Sequence, residues 1–113
     1  MTGMKWVAWA GIAVSLCSPG IVFARAGWTD YAVVAELTPT VQGRFVLDAK
    51  VSENPSGCRD KDSFYRDYGL PGADSMFRAL LEALTTGKKV RLSVTGNCDI
   101  NGYSEIDAVT VVP

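Results

Sequence analysis

The sequence predicts a small, mainly β (α+β) domain: an OB-like five-stranded barrel with element order β-β-β-α-β-β and one disulfide. Three observations support this fold class. Short runs alternate apolar and polar side chains with the two-residue period of strands, and one segment carries apolar side chains at helical spacing. Two cysteines remain once the start of the chain is set aside as a leader.

That leader, residues 1–26 of the 113, is typical of a cleavable secretory signal peptide. A lysine precedes an uncharged apolar run at 6–16, which is too short to span a membrane. Small residues permit cleavage after Ala24 or after Ala26, and Ala26 gives the better match. We therefore expect one domain over residues 27–113, located in the periplasm or outside the cell.

Two other leader types remain as alternatives. One is an uncleaved N-terminal anchor helix, which the short length of the apolar run disfavours. The other is a lipoprotein modified at Cys17, which the bulky Leu16 before the cysteine disfavours.

The mature domain has an even number of cysteines and a small negative charge. Cys58 and Cys98 are expected to be bonded, because an oxidising compartment favours pairing. Nine basic residues against 12 acidic ones give a net charge of −3, which argues against nucleic acid as a partner. We interpret the one basic cluster (Lys88, Lys89 and Arg91) as cations beside a helix end. After signal cleavage we expect no membrane contact.

Two strands open the domain. Residues 31–37 are rich in β-branched and aromatic side chains, and the turn formers at 38–40 are expected to end this strand. Residues 44–51 alternate, with four apolar side chains on one face: Phe45, Leu47, Ala49 and Val51. We expect the two strands to pair as a hairpin.

A loop at 52–62, a short third strand at 63–68 and one helix at 74–86 follow. Asp74 is expected to cap the helix, and Gly87 to take the left-handed conformation after its end. The apolar face of the helix is expected to contain Phe77, Leu80, Leu81 and Leu84.

The last two strands, at 88–95 and 104–112, flank the dipeptide Asn101-Gly102, which favours a local type I′ bend. The complete order places an amphipathic helix against a strongly curved sheet, which is the order of an OB-fold.

Four features together carry a family resemblance. They are the strand order, a cysteine after the second strand, a helix that leads into Gly-Lys-Lys-Val-Arg-Leu at 87–92, and a closing hairpin. In these the chain resembles the B subunits of AB5-type bacterial toxins, in particular the subtilase-cytotoxin and pertussis-like B subunits. The resemblance implies an OB-fold that forms a pentameric ring, binds cell-surface glycans and has no catalytic residues. No sugar-contacting residue of that family is carried over to this sequence.

The residues themselves also argue against catalysis. The sequence has no histidine, no CxxC spacing and no G-x-S-x-G or S-x-x-K motif, so we expect no enzyme activity, no metal and no other cofactor. Residues 99–102 match half of a calcium loop without the remaining ligands, and we interpret them as a turn. A small hydrolase remains open as an alternative class of function, and its activity would have to depend on an acid such as Asp99.

Aromatic side chains near loops suit stacking on sugars or contact with proteins. With two polar residues of the 99–102 turn, they make up the candidate ligand-binding residues: Trp28, Tyr65, Tyr68, Asp99, Asn101 and Tyr103. We expect an exported, non-catalytic binding module with carbohydrate as its leading ligand. The alternative is a monomeric periplasmic protein that binds or inhibits another protein through a strand edge or an aromatic loop.

Overall fold

The computed structural model describes residues 25–113, so the signal segment that we predict lies almost wholly outside the described residues. The described chain forms six strands and one helix: β1 (Gly27–Trp28), β2 (Ala32–Pro39), β3 (Arg44–Ala49), β4 (Ser63–Asp67), α1 (Ala73–Thr86), β5 (Lys89–Cys98) and β6 (Ser104–Val112). Among these residues, no helix is long and apolar enough to cross a membrane.

Strands β2 to β6 close into a ring. β3 pairs antiparallel with both β2 and β4, and β5 pairs antiparallel with both β2 and β6. The parallel pairing of β4 with β6 completes the ring. The predicted OB-like five-stranded barrel, the order of the elements from β2 to β6 and the hairpin of β2 with β3 are therefore confirmed.

The structure corrects the strand count, because β1 was not predicted. Gly27 and Trp28 pair with Val94 and Ser93 of β5, and Ala32 then pairs with Val90. Since β6 occupies the other edge of β5, β1 and β2 follow one another along a single edge. A pair of hydrogen bonds between Thr29 and Leu92 bridges the gap between β1 and β2.

The barrel interior is filled by the side chains that the alternation predicts. Phe45, Leu47 and Ala49 of β3 are buried, and Val51 is buried just after the strand. Val90, Leu92 and Val94 of β5 face them across the core. Each fully buried aliphatic or aromatic side chain contributes about 1.5–3 kcal/mol, so this single cluster is the main source of stability.

The first strand ends later than expected. Pro39 belongs to β2, where it pairs with Phe45 at the end of the strand. A proline is tolerated at this position because its missing N–H removes no hydrogen bond from the strand interior. The chain turns only after Thr40, whose backbone and side chain both donate to the carbonyl of Arg44.

The helix has the predicted end but not the predicted start. Gly72, with φ of 80°, occupies the N-terminal cap position, and no side chain caps the helix, so the role assigned to Asp74 was wrong. Asp74 instead forms an exposed ion pair with Arg78 one turn later, at 2.9 Å. Gly87 takes the left-handed conformation and donates its N–H to the Ala83 carbonyl, as expected.

The buried face of the helix is also rotated from the prediction. Leu80 and Ala83 are fully buried, whereas Leu81 is 43% exposed. Phe77 packs edge-on against Phe45 with ring centroids 5.6 Å apart. The helix therefore seals the barrel with the 80/83 side, and Leu81 was wrongly assigned to the core.

The predicted disulfide joins Cys58 to Cys98. Such a bond is typical of a protein outside the reducing cytoplasm. It ties the long loop between β3 and β4 to the end of β5.

The turn that follows β5 differs from the predicted type I′ bend. The backbone N–H of Gly102 donates to the Asp99 carbonyl at 2.9 Å, so the turn spans 99–102. None of the described non-glycine residues has a positive φ, which excludes type I′ because Asn101 would need one.

Candidate functional site

The outer face of β2, β3 and β4 carries polar side chains in rows that cross the strands. Glu36 of β2 pairs with Asp48 of β3, which pairs with Ser63 of β4. In the next row, Thr38 pairs with Val46, and Val46 with Tyr65. Loops flank this face: the β2–β3 turn at 40–43 and the β5–β6 loop at 99–103.

A first depression, the acidic cleft, lies over these rows and has a volume of about 460 Å³. This volume is in the range of pockets that hold small molecules. Its lining combines three carboxylates, two aliphatic hydroxyls, two aliphatic residues and an aromatic ring: Glu36, Thr38, Val46, Leu47, Asp48, Asp60, Ser63 and Tyr103.

Hydrogen bonds organise one wall of the acidic cleft. The Ser63 hydroxyl lies 2.8 Å from a carboxylate oxygen of Asp48 and 3.0 Å from one of Asp60. The other oxygen of Asp60 accepts from the backbone N–H of Asp62 at 3.1 Å. Ser63 therefore lies between two carboxylates at one side of the opening, and its single hydroxyl proton is shared between them.

A second depression, the loop cleft, has a volume of about 370 Å³ and adjoins the first. It lies between the β2–β3 turn and the β5–β6 loop. Both loops contribute to its lining, which consists of Thr40, Gln42, Arg44, Val46, Asp99, Ile100, Asn101 and Tyr103. Val46 and Tyr103 line both clefts, so the two clefts meet at these residues.

Arg44 is the basic side chain of the loop cleft, and its charge is already compensated. Its guanidinium forms ion pairs with Asp67 at 3.0 Å and with Asp99 at 2.7 Å. The same group lies over the ring of Tyr65, 4.1 Å from its centroid. Arg44 is thus a bridge that fixes the β5–β6 loop to β3 and β4.

Asp99 organises that loop from within. One carboxylate oxygen accepts from the backbone N–H groups of Asn101 and Tyr103, each at 2.9 Å, while the other binds Arg44. Gly102 has φ of 85°, and a Cβ on it would lie 2.9 Å from the Cβ of Arg59. The sequence therefore needs a glycine here, because the turn approaches the β3–β4 loop closely.

Two further connections join the β3–β4 loop to the β5–β6 loop. The Cys58–Cys98 disulfide is the first. The second is a 3.0 Å hydrogen bond from the backbone N–H of Asp60 to the Gly102 carbonyl. Since Asp60 and Tyr103 belong to the acidic cleft, these connections fix two of its walls relative to each other.

Tyr65 lies beneath the site instead of within it. It is 6% exposed, because Arg44 covers its ring. Burial raises the pKa of its hydroxyl, and the nearby Glu105 carboxylate raises this pKa further. We infer that Tyr65 supports the floor of the clefts and is not free to stack on a ligand.

Three of the six predicted candidates come together in the structure: Asp99, Asn101 and Tyr103 all line the loop cleft. Tyr68 is 43% exposed but lies beyond the end of β4, with its ring 6.2 Å from that of Phe45. Trp28 lies in β1, not in a loop. It lines a separate pocket that shares no residue with the two clefts.

Sequence reasoning did not identify the residues that strands contribute to the site: Glu36, Thr38, Arg44, Val46, Asp48 and Ser63. The alternation of 44–51 had already placed Arg44 and Asp48 on the outer face. The alternation did not predict the register of β3 against β2, and it is this register that puts Glu36 opposite Asp48.

The site offers hydrogen-bond acceptors, hydroxyls and an aromatic wall. Within residues 25–113, no group of three or more His, Cys, Asp or Glu side chains is placed to hold a metal ion. The arrangement is suited to binding a polar ligand through directional hydrogen bonds and one ring face.

No protein-family model matches the chain, and no curated protein sequence matches it.

Proposed function

We propose that this protein is an exported, non-catalytic binding module that takes a carbohydrate in the acidic and loop clefts, in the manner of AB5 toxin B subunits. The observation that carries the proposal is the position of the clefts. OB-folds bind oligosaccharides and oligonucleotides on the face of the second and third strands of the barrel, with the loops between strands one and two and between strands four and five. In this protein those strands are β3 and β4, and the loops are 40–43 and 99–103.

The chemistry of the lining favours sugar over oligonucleotide. Sugar hydroxyls are donors that the carboxylates of Glu36, Asp48 and Asp60 accept, and Tyr103 offers a ring with a polar tip. A nucleic acid would bring phosphates to these carboxylates, and the mature net charge of −3 adds to the repulsion.

Binding to a glycan array tests the proposal, with the mature protein labelled at its N-terminus. We expect selective binding that Tyr103→Ala reduces at least about tenfold, corresponding to the loss of roughly 1.4 kcal/mol of binding free energy. The matched control is Tyr68→Ala, because Tyr68 is also aromatic, is 43% exposed and lines neither cleft. Equal effects of the two substitutions would refute this site.

A second candidate function is supported by a different surface. Trp28, Tyr31 and Val33 are each 43–47% exposed, and Arg91 lies over the rings of Trp28 and Tyr31 at 4.6 and 5.4 Å. We name these four residues the β5 patch. Exposed aromatics beside an arginine are typical of protein interfaces, so the patch suits a protein partner or a second copy of the chain.

The solution mass of the mature protein separates these two uses of the patch. A pentamer, as the toxin resemblance implies, would place the patch or another surface between subunits. A monomer would favour the periplasmic protein-binding or inhibitor function. Light scattering on a size-exclusion column gives the mass, and Trp28→Ser tests whether the patch contributes to any assembly.

A further inference from the structure

The β5 patch carries positive charge that no acidic side chain of the described chain balances. Arg91 belongs to the patch, and the exposed Lys89 lies two residues before it on the same face of β5. No ion pair in the part of the chain that the structure describes involves either of them. Glu53 lines a pocket with Trp28, and Asp107 is exposed on β6, yet neither carboxylate is paired with these cations. The patch is therefore basic, on a domain whose mature net charge is −3.

Stacking holds the Arg91 side chain in place. Its guanidinium carbon lies 4.6 Å from the ring centroid of Trp28 and 5.4 Å from that of Tyr31. Its Nε is buried and has no hydrogen-bond partner in the described chain. Contacts with the two rings, and not internal polar contacts, therefore fix the guanidinium. A guanidinium fixed in this way is pre-organised to bind a carboxylate, because its planar N–H fork matches the two carboxylate oxygens.

The apolar part of the patch is longer than a single small anion. Trp28 pairs with Ser93 of β5 and Val33 pairs with Lys89, so the patch extends over four residue steps of β5, about 13 Å. Trp28, Tyr31 and Val33 are each 43–47% exposed along this length. A sugar acid or an inorganic anion at Arg91 would leave much of this apolar surface in water. An extended protein segment of about five residues would cover it.

A second copy of the chain fits this surface less well than an acidic partner does. In a two-fold symmetric dimer the same patch faces itself on both subunits. Lys89 and Arg91 would then approach the same two cations of the second copy, and like charges across an interface are unfavourable. The charge of the patch therefore favours a partner of the opposite sign.

We propose that the β5 patch, together with Lys89, docks a segment of another protein in which an Asp or Glu side chain lies among apolar residues. The carboxylate binds the Arg91 guanidinium, and the apolar side chains cover Trp28, Tyr31 and Val33. This inference rests on the second candidate function, since it names the chemistry of the partner for the same patch. It does not depend on glycan binding in the clefts.

Trp28 provides a direct readout, because it is the only tryptophan in residues 27–113. The probes are acetylated and amidated hexapeptides with one central Glu among varied apolar residues, each paired with its Gln counterpart. We expect some Glu members to shift the Trp28 emission to shorter wavelength as the ring is covered. Those peptides should bind at least about tenfold more tightly than their Gln counterparts at about 0.15 M salt, and the preference should shrink at higher salt.

Substitutions of Arg91 test the role of its charge. Arg91→Gln should lower the preference for Glu over Gln peptides at least about fivefold. The matched control is Arg78→Gln, which removes the same charge from a side chain that is 76% exposed on the helix and should leave the preference unchanged. Arg91→Lys keeps the charge without the planar fork and should retain part of the preference. Melting temperatures of the three variants show whether each one is folded.

Each outcome supports or overturns a different statement. Peptides that shift the Trp28 emission equally with Glu and with Gln, or a preference that Arg91→Gln leaves intact, overturn the inference alone. An emission shift with glucuronic acid as large as with the peptides assigns the patch to a sugar acid, and a shift that follows self-association assigns it to a second copy. Both of these results also overturn the inference. No shift with any peptide overturns the protein-binding function of the patch, and glycan binding in the clefts is unaffected by every one of these results.

Discussion

The Cys58–Cys98 disulfide should supply a large part of the stability of the domain. It closes a loop of 40 residues, for which the chain-entropy relation gives about 4 kcal/mol at 25 °C. A domain of 60–100 residues loses roughly 4–8 °C of melting temperature per kcal/mol. We therefore expect reduction to lower the melting temperature by about 16–32 °C.

Circular dichroism melts of the purified protein, with and without a phosphine reductant, measure this shift. The Cys58→Ser/Cys98→Ser variant should melt with the reduced protein and should not respond to reductant, which is the control for other effects of the reagent. A fall of less than about 5 °C would refute the reasoning, since it corresponds to about 1 kcal/mol. It would mean that the unfolded chain is already restricted without the bond.

Three further predictions concern the helix and two titrating groups. Leu80→Ala should cost about 2–5 kcal/mol in urea unfolding and the matched Leu81→Ala no more than about 0.5 kcal/mol, and equal losses would contradict the orientation of the helix. The backbone N–H of Glu53 donates to Asp30 and lowers the pKa of that carboxyl. The stability that the ionised Asp30 carboxylate adds to the fold is therefore complete above the ordinary pKa of 3.8 and is lost as the pH falls through the lower folded pKa. Asp30→Ala should flatten this acid limb of unfolding free energy against pH, and an unaltered limb would argue against the contact. Burial raises the pKa of Tyr65. The stability that the buried neutral tyrosine adds to the fold is therefore complete below the ordinary pKa of 10.0 and is lost as the pH rises through the higher folded pKa. Tyr65→Phe should therefore remove a late component from the alkaline absorbance titration, and its persistence would assign that component elsewhere.

Much of the fold could be predicted because its signals are local. The last strand occupies 104–112 as predicted, and the inward face of β3 follows its alternation. Two residues, as in β1, are too few to show any period, and only pairing with β5 makes them a strand. Leu81 fits the helical spacing of apolar side chains, but the barrel covers a narrower part of the helix surface than this apolar face, and Leu81 lies outside the covered part.

The candidate site was only half predictable for a related physical reason. Asp99, Asn101 and Tyr103 are close in sequence, so a turn motif and an aromatic residue were enough to group them. Glu36 and Asp60 reach the same cleft from separate segments, through barrel registration and a disulfide. Residue type alone was also a poor guide to accessibility. Tyr65 has an aromatic ring and a polar tip, which suit a ligand, yet Arg44 covers the ring.

Closure of the barrel depends on strand pairs that are far apart along the chain. Ala32 pairs with Val90, and the parallel pair of Phe64 with Ser104 spans the helix and β5. Such contacts repay the entropy of loop closure only late in folding, which makes β-barrels of this kind slow folders, on the scale of milliseconds to seconds. A Cys58–Cys98 bond formed early would bring β4 and β6 near each other before they pair. The order in which oxidation and barrel closure occur thus sets how long unpaired strand edges stay open to aggregation.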